Sequence, residues 1–174
     1  MRTPKLKEAY TPERCECCGQ TTTYILPVTL GVVQIIRAIA TAIHKKGTNY
    51  IHPRKEMEVN AEWPGDQRIA EGKLTSNEVG NLSKARFHGL IAREKDNPGN
   101  YCLTDKGIDF LNGEDVPKFA IISKEYRRQI GYYKEEEFTC NIKELIGTDY
   151  WVGIGFEIRE GKVVEVEDKQ GALI

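Results

Sequence analysis

The chain has no G-x-x-x-x-G-K-[ST], no H-E-x-x-H and no G-x-S-x-G, which removes the commonest phosphate-cradling, metalloprotease and serine-hydrolase signatures. Its three histidines are scattered, with no serine, cysteine or carboxylate at a recognisable motif spacing. A protein that is not an enzyme is expected. An apolar secretory segment is also missing behind the polar opening MRTPKLKEAYTPER. The five cysteines are an odd number, which suits a secreted disulfide framework poorly. These two absences predict a cytoplasmic protein whose thiols are reduced or metal-bound. Uninterrupted apolar runs are lacking too. The longest candidate, Tyr24 to Ile43, contains Pro27, Gln34 and Arg37. A mid-span arginine costs about 2.5 kcal/mol or more in a bilayer, so the run reads as a buried helix and no membrane contact is expected. Internal repeats and low-complexity tracts are absent as well. At 174 residues the chain is one modest domain with appendages, or two very small ones.

What is present is distributed unevenly. Residues 1–134 hold 21 Lys/Arg against 16 Asp/Glu, a net of +5, whereas residues 135–174 hold 4 against 10, a net of −6. Nucleic acid would meet the first part and be repelled by the last forty residues. The run Glu135–Glu137 reads as a solvated edge, with charge mimicry toward a basic partner as its second reading.

Residues 1–13, with Pro4 and Pro12 and no periodicity, predict a flexible tail, and residues 14–28 a cysteine knuckle. From about Val28 the pattern is helical. Val32, Ile35, Ile36, Ile39 and Ile43 share one face, Val33 and Ala40 widen it, and Gln34, Arg37 and Thr41 fall opposite. Gly47 after His44-Lys45-Lys46 marks the stop. So broad a face predicts a central core helix, with a homodimer through the 29–46 helix as the second reading. Tyr50 to His52 reads as a short strand, Trp63 to Asp66 as a turn, and Gln67 to Glu71 as a short helix.

The pattern sharpens at LTSNEVGNLSKARFHGLIARE. Thr75 or Ser76 is the N-cap: Ser76 would place Val79 three residues on, whereas Thr75 places Glu78 there and forms a capping box. Val79, Leu82 and Ala85 point inward, while Asn77, Gly80, Asn81, Lys84 and His88 project outward. Strands at Leu90–Glu94 and Tyr101–Leu103 flank the turn DNPGN, and Thr104 caps a helix that stops at Asn112-Gly113. Beyond it the chain predicts strands at Val116–Ile122 and Ile130–Tyr133, a helical turn capped by Thr139, and a hairpin in GFEIREGKVVEVED.

Helix, Gly-Leu-Ile strand, tight turn, strand and Leu-Thr-Asp-Lys-Gly cap, in that order, resemble a winged helix-turn-helix domain. The resemblance implies that the helix before Gly89 is a recognition helix and the hairpin a wing. A looser resemblance spans most of the chain through Cys15, Cys18 and Gly19, Gly89-Leu90-Ile91, Leu103-Thr104, Lys106-Gly107 and Val116-Pro117-Lys118. It is similar to small zinc-ribbon-plus-winged-helix proteins of phages and bacteria. The expected fold is therefore α+β: a knuckle at 14–28, a winged helix-turn-helix core at 29–113 and a β-rich extension at 114–174.

Two sites follow from these readings. Cys15 and Cys18 have zinc-knuckle spacing, and Gly19 permits the tight turn that aims backbone amides at thiolates. No second C-x-x-C completes the set. Cys17 could replace either thiol, and the remaining ligands would come from His44, His52, His88, Cys102 or Cys140. His44 and His52, bracketing the end of the first helix, are the first choice, and a metal-free pair or completion across two chains is the alternative. For double-stranded DNA, Asn77, Asn81 and Lys84 carry donors and acceptors suited to base edges, asparagine being able to grip adenine by two bonds. Arg86, Arg93 and Lys95, with Arg2, Lys5 and Lys7 of the tail, are placed for phosphates. The expected function is a DNA-binding regulator or accessory factor, phage-encoded if the looser resemblance holds. The alternative is a protein-docking module that binds a host or viral complex without touching DNA.

Overall fold

A computed structural model describes residues 10–59 and 72–146 throughout, and residues 151–153, 156–159 and 162–165 as backbone. The readings made for residues 1–9, for the Trp63–Asp66 turn and for the Gln67–Glu71 helix lie outside the described residues. So do the side chains of the last hairpin. The organising element is helix α1, Leu30–Lys46, with Val32, Val33, Ile35, Ile36 and Ile39 fully buried. Gly47 ends it in the left-handed region at φ 72°, returning its N–H to Ile43 and His44 carbonyls. Arg37 and Thr41, assigned from the sequence to an outer face, are buried as well. Polarity misled the reading there, because α1 is enclosed by its own chain on more than one side. Helix α2 is Pro53–Glu56, α3 Ser76–Val79, α4 Asn81–Phe87, α5 Asp105–Leu111 and α6 Ile142–Ile146. Of these, α3, α4 and α6 pack against α1, as do strands β3 (Tyr101–Leu103) and β8 (Trp151–Gly153).

The segment from α3 to α5 follows its local signals closely. Thr75 is the N-cap of α3, with both arms of the capping box formed to Glu78. Gly80 keeps a right-handed helical conformation, so α4 continues α3 with a slight break. Val79, Leu82 and Ala85 are buried against the core. Gly89, at φ 72°, turns the chain into strand β2, Ile91–Arg93, which pairs antiparallel with β3. Thr104 caps α5, accepting from the Gly107 N–H at 3.0 Å. His88 departs from expectation. The helix ends at Phe87, the chain turns, and the imidazole is 1 % exposed rather than outward.

Ile51 makes an isolated antiparallel bridge to Tyr101, with N···O distances of 3.0 and 2.8 Å in the two directions. That bridge lays the chain between α1 and α2 alongside the β2–β3 hairpin.

The C-terminal part is β-rich, as its pattern predicts, but the expected strand at Val116–Ile122 is two strands. Strand β4, Val116–Pro117, pairs with β7, Thr139–Cys140, and β5, Phe119–Ser123, lies between β1, Thr23–Pro27, and β6, Arg128–Tyr132. The switch occurs at Lys118, whose N–H donates to Phe138 while its carbonyl accepts from Val28. Thr139 consequently belongs to β7, and Asn141 takes the capping part, accepting from the Lys143 N–H at 3.0 Å. Strands β9, Phe156–Arg159, and β10, Lys162–Glu165, form the expected hairpin beside β8. The central sheet thus joins a strand from the cysteine segment to two from the extension. The architecture is mixed α and β, and no helix among the described residues is long and apolar enough to cross a membrane.

Candidate nucleic-acid interface

Helix 76–87 presents Ser76, Asn77, Gly80 and Lys84 to solvent. Its one carboxylate, Glu78, is turned back into the cap and is 7 % exposed. The exposed face is therefore polar and cationic, with no acidic group to repel a phosphate. Asn81 lies partly inward. A methyl group at Gly31 would sit 2.7 Å from its Nδ2, so this amide fills the close approach of α4 to α1.

Arg86 and Arg93 form a second group. Arg93 is exposed on β2 and donates from Nε to the Tyr101 hydroxyl at 3.2 Å, its guanidinium 5.9 Å from that ring's centroid. Arg86 is half-buried, with its guanidinium 4.9 Å from the Phe87 centroid and its Nε buried without a hydrogen-bond partner. Burial, and then the neighbouring Arg93 charge, hold the Arg86 pKa below its ordinary value. No carboxylate among the described residues pairs with either guanidinium. Lys95 is exposed in the hairpin turn. Asn77 and Lys84 thus share one face, and Arg86 and Arg93 meet beside the hairpin, while Arg2, Lys5 and Lys7 lie outside the described residues.

A cavity of about 490 Å³ opens between α2, helix 76–87 and the hairpin. His52, Arg54, Ser83, Arg93 and Tyr101 contribute to its wall, with Val79 and Leu82 as an apolar part. Arg54, Ser83 and Tyr101 carry no local sequence signal for such a role. The Ile51–Tyr101 bridge and the packing of His52 on Gly99 bring α2 to the hairpin, pairings between segments far apart in the chain.

The cysteine segment is a turn closed by an Arg14–Thr21 bridge. Cys15 N–H donates to Gln20, Gly19 N–H donates to Cys15, and Arg14 Nη1 donates to the Gly19 carbonyl at 2.9 Å. Gly19 sits at φ 70°, a conformation that glycine adopts without strain. The backbone N–H of Cys18, and then that of Cys17, point at the Cys15 sulfur and lower its pKa. This is the amide-to-thiolate arrangement that a metal-binding knuckle uses. Cys17 and Cys18 are exposed. His44 is exposed at the end of α1, and His52 packs on the hairpin turn, where a side chain on Gly99 would collide with the imidazole. Among the described residues, no three His, Cys, Asp or Glu side chains gather as a metal-holding group, so Cys15, Cys18, His44 and His52 are not assembled within one chain. Cys140, by contrast, is buried, and loss of solvent pushes its thiol up to about 12.

No protein-family pattern, no curated protein and no solved structure matches the chain.

Proposed function

We propose that the chain binds double-stranded DNA as a winged helix-turn-helix protein, serving as a regulator or accessory factor. The observation that carries this reading is the Ile51–Tyr101 bridge. It supports the reading because it sets Ile51, between the long helix and the later helices, beside hairpin strand β3, as expected of a winged arrangement. The acid-free outer face of helix 76–87 adds to it. In this reading Asn77 and Lys84 face the major groove, and Arg93 and Lys95 hold backbone phosphates from the wing. Arg86 sits behind Arg93 and shares its positive field, and Asn81 contributes from the edge of the helix face.

Duplex binding measured against salt concentration tests the reading. Lys84→Ala and Arg93→Ala are expected each to weaken binding and to lower the slope of log K against log salt by about one phosphate equivalent. Duplex affinity that ignores both substitutions would overturn the residue assignment, and no binding at low salt would overturn the DNA reading.

A docking module is the second reading, and one feature favours it. Strand β6 is a sheet edge, with Ile130 on it 49 % exposed and Tyr126 in the preceding turn 62 % exposed. Such an edge is suited to another protein's strand.

We further propose that the cysteine corner holds zinc between two copies of the chain. Cys15 and Cys18 of each copy would supply the four thiolates of a tetrahedral structural site.

A further inference from the structure

The cavity between α2, helix 76–87 and the hairpin is not needed for reading base edges, and its chemistry is selective. Arg54 and Arg93 bring two guanidinium groups to it, His52 an imidazole and Ser83 a hydroxyl, and among the described residues no Asp or Glu lines it. Arg54 and Arg93 have no carboxylate partner among the described residues. Arg93 spends its Nε on the Tyr101 hydroxyl, and among the described residues its terminal nitrogens have no protein acceptor. His52 Nδ1 is buried and likewise without a partner. Both guanidinium groups are solvent-exposed at the mouth of the recess, so an anion there gains charge-assisted hydrogen bonds from them without their having to be stripped of water first.

The size and donor set narrow the class of anion. About 490 Å³ lies within the range of small-ligand pockets. A carboxylate has two oxygens for these donors, whereas a phosphate monoester has three and a second negative charge. The apolar wall of Val79 and Leu82, continued by the Tyr101 ring, leaves room for a compact body attached to that phosphate.

We propose that this cavity is a phosphate-binding pocket for a phosphorylated small molecule of mononucleotide size. The phosphate sits between Arg54 and Arg93, and the organic part lies on the apolar wall. Because Arg93 belongs to both this pocket and the hairpin's DNA-facing side, an occupied pocket changes the charge that DNA meets. The phosphoryl chemistry has two sources, a free monoester or a duplex backbone, and the test separates them.

Calorimetric titrations of the full chain with adenosine monophosphate, adenosine and inorganic phosphate form the test, accompanied by a thermal melt of each variant. Adenosine monophosphate is expected to bind at least about tenfold more tightly than adenosine, and Arg54→Ala to weaken it by about tenfold or more. Arg54 is exposed, so its replacement leaves the fold intact. Lys84→Ala, on the outer face, is expected to leave nucleotide binding unchanged while weakening the duplex. Equal affinity for adenosine and its monophosphate, no binding up to about 10 mM, or indifference to Arg54→Ala would each overturn the pocket. A duplex that displaces the nucleotide and loses affinity with Arg54→Ala supports the phosphate site with DNA as its source. Nucleotide binding that persists in a protein with no duplex affinity supports the free ligand and separates this inference from the DNA reading.

Discussion

His88 shows what a single buried group can do to the whole chain. It closes the helix that carries the candidate DNA face, and its imidazole is almost without solvent. Burial depresses its pKa to about 4, outweighing the opposing pull of the Pro27 backbone, and the nearby Lys106 charge acts in the same direction as burial. Neither ring nitrogen has a hydrogen-bond partner among the described residues. The unfolded chain therefore takes a proton on this residue near its ordinary value of 6.5, which the folded chain accepts only near 4. Stability from this group is complete above pH 6.5 and is lost as pH falls through 4. The loss approaches about 3 kcal/mol. Urea unfolding at intervals from pH 7 to 4 should show this slope, and His88→Gln should flatten it whatever its effect at pH 7. An unchanged slope would show that other groups carry the acid sensitivity. His88 lies one residue past the end of the helix, where helical periodicity no longer sets which way a side chain faces. At residue scale the sequence reports preferences of neighbours along the chain, and the groups that act on His88, Pro27 and Lys106, are far from it in number.

Among the elements, capping chemistry was the most readable part. Thr75 with Glu78, Thr104, Gly47 and Gly89 all act on backbone groups within a turn of themselves, so their spacing suffices. Elements whose boundaries depend on a distant partner were read less well. The Val116–Ile122 run looked continuous because nothing in its own residues announces that β4 and β5 pair with different strands. Gly107 illustrates a requirement that composition cannot convey. A side chain there would collide with the Leu90 backbone carbonyl, where the first turn of α5 crosses the end of the Gly-Leu-Ile segment. Gly107→Ala is expected to destabilise the chain by about 3 kcal/mol or more, since backbone and not a flexible side chain must yield. Thermal melting checks this, and a loss under about 1 kcal/mol would mean that α5 can shift without cost.

At the scale of the whole molecule, the sequence predicted a mixed α and β protein and the candidate face of helix 76–87. It predicted neither the pocket nor the central sheet. Both arise from pairings between segments far apart, Ile51 with Tyr101 and β1 with β5, which local periodicity does not encode. The cysteine corner is a question at this scale as well. On the proposed zinc reading, a knuckle whose amides converge on Cys15, with no third ligand beside it among the described residues, would be completed by a second copy. Protein purified without added metal is expected to carry about half a zinc per chain and to run as a dimer that chelator dissociates. One zinc per monomer, or none, would overturn the shared site.

The pairing of β1 with β5 also constrains how the protein is made. Thr23 meets Ser123, so the early strand has no neighbour until about a hundred more residues have left the ribosome. At ordinary rates of translation that wait is on the order of ten seconds. For that interval the nascent chain offers Tyr24, Ile25 and Leu26 to any passing strand or chaperone.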